Sequence, residues 1–139
     1  MAAYRWEHTD AALTAQLELE SEGAVGVIES GHAGVRCSNP TTGKDALVTI
    51  RTEMRRLRAG TRTVPVRSVG SAVWQVCDGE AVAHVGDKVF EITKGDLFAV
   101  PSWYEITLTA RTPVELFRFS DEPVYEALGL ARPIRAEQK

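Results

Sequence analysis

Cysteine is scarce in this 139-residue chain: Cys37 and Cys77 are the only two, on different predicted strands and without CxxC spacing. That argues against a disulfide framework and suits two thiols of a cytoplasmic protein. Long apolar runs are missing as well. No stretch nears the ~18 residues that span a bilayer, and 1–10 lacks the apolar core of a secretory signal, so no membrane partner is expected. Nor is there an excess of basic charge. The formal net charge is −3, which argues against a general nucleic-acid partner, although six arginines fall between Arg51 and Arg67. Histidine is limited to His8, His32 and His84. They are dispersed, without the convergent spacing of a metal site, and read best as structural or surface groups.

What is present is a run of short elements in a length that suits one domain. Thr9 or Asp10 offers an N-cap for a helix over 11–19, with Leu13 and Leu17 on one face and a stop near Gly23. Short strands are expected over 24–29 and 35–38, then a turn at Asn39-Pro40-Thr41-Thr42-Gly43. A long extended segment, 46–58, follows, with a bulge expected near Arg55-Arg56-Leu57, where its alternation slips. Strands are predicted over 62–68, 71–77, 81–85, 88–93, 97–100, 104–110 and 114–119. A helix over 123–128 starts at a proline and stops at Gly129, and 132–139 reads as a frayed polar tail. Many short strands divided by Asp78-Gly79, Gly86-Asp87 and Lys94-Gly95-Asp96 point to an all-β sandwich or barrel.

The segment from Gly60 to Ile106, closing on Gly-x5-Pro at Gly95–Pro101, resembles a cupin. The resemblance implies a jelly-roll β-barrel with short N- and C-terminal helices. It divides the chain into an arm and helix over 1–33, a barrel with its last helix over 34–132, and a tail over 133–139. It also places the family's metal-binding histidine positions at Val66, Ser68 and Ile106, and its glutamate position at Ala72 or Val73. Val, Ser and Ile cannot form an imidazole site. No metal and no other cofactor is therefore expected.

Three pieces narrow the resemblance: Ser38-Asn39-Pro40-Thr41-Thr42-Gly43, the segment Met54-Arg55-Arg56-Leu57-Arg58-Ala59-Gly60, and Val100-Pro101-Ser102-Trp103 with the F-S-D-x-P-V-x-E-A-L-G run from Phe119 to Gly129. Together they are similar to the C-terminal cupin half of the bicupin dioxygenases that cleave gentisate, salicylate and 1-hydroxy-2-naphthoate. In that family the iron sits in the N-terminal cupin, so ring cleavage by this chain alone is not implied.

A ligand pocket is expected from Arg56, Arg58, Val66, Ser68, Trp74, Trp103 and Ile106, against the plain alternative of a barrel filled by its own side chains. Ser68, Gln75 and one arginine are the polar handles. Arg56 and Arg58 are the favoured carboxylate anchors and Arg67 a weaker third, although the commonest fate of such an arginine run is a solvated strand face. Tyr104 and Glu105 are weak candidates for acid–base groups, with no partner visible in the sequence. The favoured function is a metal-free cupin that binds a small aromatic or carboxylic compound or stabilises a partner, and a homodimer is expected. A cofactor-independent isomerase, cyclase or decarboxylase is the second reading. An iron-dependent dioxygenase, or its accessory subunit, is the third.

Overall fold

The computed structural model describes residues 6–21, 31–37, 41–45, 47, 49–130 and 134–135. Its elements in order are α1 (Trp6–Ser21), β1 (His32–Arg36), β2 (Arg51–Leu57), β3 (Val66–Arg67), β4 (Ala72–Asp78), β5 (Glu80–Val85), β6 (Lys88–Thr93), β7 (Leu97–Val100), β8 (Ile106–Ala110), β9 (Val114–Ser120), α2 (Glu122–Ala127) and β10 (Ile134–Arg135). They form two five-stranded sheets, ordered β1-β2-β9-β4-β7 and β10-β3-β8-β5-β6, with every pairing antiparallel. The all-β jelly roll with two short helices is thus the observed architecture.

The period-two pattern of each strand decides what fills the space between the sheets. On β5, Ala81, Ala83 and Val85 turn inward and Val82 and His84 do not, as the alternation predicts. Leu57, Trp74, Val76, Leu108, Val114 and Leu116 join them in one core. A second, smaller cluster lies on the other face of β1 and β2, where Leu13 and Leu17 of α1 meet Ala33, Val35 and Met54.

Several elements depart from the sequence expectation. Helix α1 begins at Trp6, so Thr9 and Asp10 lie inside it rather than capping it. β1 begins at His32, ahead of the expected strand at Val35 and two residues before the expected start of the barrel. β2 pairs β9 residue for residue from Arg51 to Leu57, with no bulge at Arg55-Arg56-Leu57. The irregularity falls on β4 instead, between Val76 and Asp78. The strand expected over 62–68 shortens to Val66–Arg67 because Pro65 has no N–H to give the ladder. Ahead of it, the Thr63 hydroxyl accepts from the Leu108 N–H at 2.8 Å in place of a backbone carbonyl. Within the supposed tail, Ile134 and Arg135 pair with β3. The strand expected over 24–29 lies outside the described residues.

Gly79 shows why the first hairpin turn needs glycine. Its φ is +92°, and a Cβ there would sit 2.2 Å from the Pro113 carbonyl oxygen.

Candidate functional site

The inner face of the first sheet changes character along its length. Across β2 and β9 the row Leu57–Val114 is apolar, whereas Glu53 stands opposite Arg118 and Arg51 opposite Ser120. The Glu53–Arg118 row continues onto β4 and β7 as Trp74 and Phe98, whose rings lie parallel at 6.2 Å. Leu57, fully buried, fixes the phase of β2. Arg51, Glu53 and Arg55 share its parity and therefore go inward with it.

Burial of three charges is tolerated because they are paired. Glu53 Oε2 accepts from Arg55 Nε and Nη2 at 2.9 and 2.6 Å, and its Oε1 accepts from Arg118 Nη1 at 2.9 Å. Burial pushes the Glu53 carboxyl up, but the two guanidiniums outweigh it and hold the group below its usual range. Burial likewise lowers Arg55, partly offset by Glu53. Arg55 Nη1 lies 3.2 Å from His32 Nε2; a guanidinium only donates, so this nitrogen is the acceptor. Both guanidiniums also stack on Trp74, with Arg55 at 5.7 Å and Arg118 at 5.4 Å from the ring centroid.

Arg51, the neighbouring inward residue, gathers three carboxylates: Asp45 at 2.7 Å, Glu122 at 3.0 Å and Glu126 at 2.6 Å. Burial disfavours its cation, but Asp45 and Glu126 more than compensate, so its pKa is raised. Helix α2 is thereby tied to β2. Asp121 precedes α2 without capping it; its Oδ1 accepts from the Ser71 N–H at 2.8 Å.

Between the sheets lies a cavity of ≈ 130 Å³. Of the residues singled out in the sequence, Val66, Ser68, Trp74, Tyr104 and Ile106 border it. Arg55, Arg118 and His32 border it too, and none of these three is among the expected pocket residues. Trp103 stands outside, 43% exposed, in the left-handed region at φ 68°, beneath the Arg67 guanidinium at 5.9 Å. Glu105 and Gln75 are not part of the lining either.

Arg56 and Arg58 serve the opposite face of β2. Arg56 Nε donates to Glu115 Oε1 at 2.5 Å, while its other nitrogens reach Asp10 and Thr14 on α1. Arg58 donates to the Leu17 carbonyl. Strand parity explains it: residue 56 points away from a cavity that residue 55 faces. The solvated-face expectation for the arginine run fails for Arg51, which is 3% exposed.

The cupin metal positions can be tested against this geometry. Val66, Ser68, Ala72 and Ile106 all border the cavity, so the frame is in place, but their side chains offer two branched alkyl groups, a methyl and one hydroxyl. Among the described residues no three His, Cys, Asp or Glu side chains converge as metal ligands. The donor set does not fit a transition ion.

No protein-family model matches the chain. Over 137 residues it is 81% identical to a gentisate 1,2-dioxygenase from Streptomyces sp, a match that takes in 99% of this chain and 38% of that protein. It is 31% identical over 130 residues to a 5-aminosalicylate 1,2-dioxygenase from Comamonas sp, covering 93% and 34% of the two. Its structure superposes on the salicylate 1,2-dioxygenase from Pseudaminobacter salicylatoxidans with a TM-score of 0.93 and 48% identity, over 97% of this chain and 39% of that one. A cupin 2 domain-containing protein from Halorhodospira halophila shares the fold at a TM-score of 0.64 and 21% identity. The chain has the cupin fold, and it resembles one part of the gentisate-type dioxygenases. This cupin spans well under half the length of each dioxygenase it matches. Among its described residues no helix is long and apolar enough to cross a membrane.

Proposed function

We propose that this cupin is the metal-free part of a cytoplasmic ring-cleaving dioxygenase for gentisate-like hydroxybenzoates, supporting an iron-type centre held in another cupin. One observation carries the reading. A sequence 81% identical to a gentisate 1,2-dioxygenase over 99% of its length has Val66, Ser68 and Ile106 where a cupin needs imidazoles. What remains for such a barrel is mechanical and electrostatic work: a packed core, a buried ionic layer and surfaces for a partner. The thiols of Cys37 and Cys77, both free, fit a reducing compartment. The assembly proposed for the isolated chain is a homodimer in which two such barrels stand in for paired cupins.

The test is reconstitution. The 139-residue chain, supplied with ferrous iron, oxygen and gentisate, is expected to show no oxygen uptake and no stoichiometric metal. Co-expression with the remaining part of the Streptomyces relative is expected to give a co-purifying complex that consumes gentisate. Turnover by the chain alone overturns the reading, as does a remaining part that is fully active and stable without it. Light scattering checks the dimer.

A further inference from the structure

Strand β6 is a sheet edge that no described residue guards. The two sheets end on β1 and β7 and on β10 and β6. On β1 the Gln16 side chain of α1 caps the outward backbone of Gly34: Nε2 donates to its carbonyl at 2.9 Å, and Oε1 accepts from its N–H at 3.2 Å. β10 has two residues and β7 four. β6 has six, in unbroken register with β5, and neither proline nor bulge interrupts it. Its one lysine, Lys88, stands at the hairpin end. Caps, short strands, prolines and bulges are how edges avoid pairing with another chain. β6 shows instead Val89, 61% exposed, and Phe90, 39% exposed.

The ladder fixes which backbone groups point outward. The Thr93 N–H donates to Asp96 Oδ2 at 2.8 Å, and the Thr93 carbonyl accepts from the Asp96 N–H at 3.0 Å. Both groups of Thr93 are therefore turned away from β5. Residues of an antiparallel strand alternate in this respect, so Glu91 and Val89 also aim their N–H and carbonyl out of the sheet. No described residue hydrogen-bonds to them there. Beside this edge runs a groove of ≈ 380 Å³, bordered by Phe90, Ile92, Leu97 and Phe98, and Leu97 is 62% exposed.

We propose that β6 pairs antiparallel with β6 of a second copy about a two-fold axis at Phe90, making one continuous sheet across the two barrels. This rests on the homodimer proposed above and gives it a surface. Opposed residues of an antiparallel pair share a face, so the axis must fall on a residue. On Glu91 it would set two carboxylates against each other, and on Val89 it would bring Asp87 against Glu91. Further along, Thr93 is already held by Asp96. On Phe90 the axis sets Val89 opposite Glu91 in both directions, which satisfies the outward backbone groups of both, and it lays one Phe90 on the other. Each Glu91 keeps its own Arg111, at 2.7 Å. Pairing consumes both edges, so the assembly closes as a dimer.

Sedimentation equilibrium of the 139-residue chain, reduced and with chelator present, is the test, and a dimer is expected. Val89→Glu puts a carboxylate opposite Glu91 twice over and is expected to weaken the dimer about tenfold. Val89→Lys meets the same carboxylate with a cation and is expected to hold the dimer at least as tightly as the natural chain. Both changes are at an exposed position, and cooperative melts confirm that the barrel is intact. In a Cys37→Ser, Cys77→Ser background, Phe90→Cys is expected to give a disulfide-linked dimer with diamide, whereas Val89→Cys, which has no copy of itself opposite, is not. A dimer that is equally tight in both Val89 variants and is not cross-linked by Phe90→Cys overturns the β6 pairing and leaves the homodimer standing. A chain that stays monomeric overturns both. A monomer that co-purifies with the remaining part of the Streptomyces relative, and loses it in Val89→Glu, gives the edge to that part and overturns self-pairing.

Discussion

Val66 stands directly opposite Ile106 in the β3–β8 pair. Side chains so paired share a face, with Cβ atoms ~4.5–5.5 Å apart, and both border the cavity together with Ser68. Two of the three positions where a cupin would place imidazoles are thus cross-strand neighbours aimed at one space. The backbone of a metal site is present without its donors. The triple variant Val66→His, Ser68→His, Ile106→His is therefore expected to bind zinc or nickel at one ion per chain, at least a hundredfold tighter than the natural chain. Calorimetry or competition with a chromogenic chelator reads this. A triple variant that melts cooperatively yet binds no better than the natural chain would show that the three positions do not converge.

Glu53 is the keystone of the buried ionic layer, accepting from Arg55 and Arg118 while only 10% exposed at its side chain. Replacing it by alanine strands two guanidiniums under Trp74. Breaking a buried pair from one side costs about 3–5 kcal/mol, and that loss is expected for Glu53→Ala in urea unfolding. Glu53→Gln, which keeps hydrogen-bond acceptors in place, is expected to cost less. A loss below about 1 kcal/mol for Glu53→Ala would mean that water already reaches this layer.

The reach of the sequence is clear at β2 and β5. On β5 the small residues Ala81, Ala83 and Val85 announce their own face, and the structure buries them. On β2 the alternation Arg51, Glu53, Arg55 against Thr52, Met54, Arg56 suggests a charged outer face, but the opposite phase is realised. The deciding signal is Leu57, which shares parity with the charged set and is fully buried. Helix α1 then covers the Met54 face, a tertiary event with no local trace. The choice of Arg56 and Arg58 over Arg55 as pocket residues comes from that missed phase. Arg118 is invisible for a related reason: it lies 65 residues further along the chain, on β9, and only the sheet register sets it against Glu53.

Stability should fall on acidification. Asp45, Glu53 and Glu126 all have lowered carboxyl pKa values: burial opposes their charge to differing degrees, and arginine partners prevail. A group with a depressed folded pKa contributes stability that is full above its unfolded value, ordinarily about 4 to 4.5, and is lost as pH falls through the folded one. Glu115 runs the other way. Burial raises it, so its contribution is full below the unfolded value and lost as pH rises through the folded one. With three groups against one, the melting temperature is expected to decline below about pH 4.5, and Glu53→Gln should flatten that decline. Thermal melts from pH 3 to 7 check the sign. A melting temperature that climbs as pH drops from 4.5 to 3 would contradict it.

Arg56 and Glu115 hold α1 to the barrel wall, and their pairing gives the last test. Glu115 Oε1 accepts from Arg56 Nε at 2.5 Å, but Oε2 is buried with no hydrogen-bond partner among the described residues. Arg56 also reaches Asp10 and Thr14, so one guanidinium joins β2, β9 and α1. Arg56→Ala removes the anchor of α1 and leaves the Glu115 carboxylate with no hydrogen-bond donor among the described residues, a combination worth about 1–3 kcal/mol. The carboxylate part of that cost vanishes once Glu115 is protonated, so the penalty should be smaller at pH 4 than at pH 8. Glu115→Gln in the Arg56→Ala background should recover stability at pH 8 without restoring the slow amide exchange of α1, because Asp10 and Thr14 remain unheld. A double-mutant cycle with hydrogen exchange separates the two effects. Equal penalties at both pH values would assign the whole loss to the helix anchor and none to the buried acid.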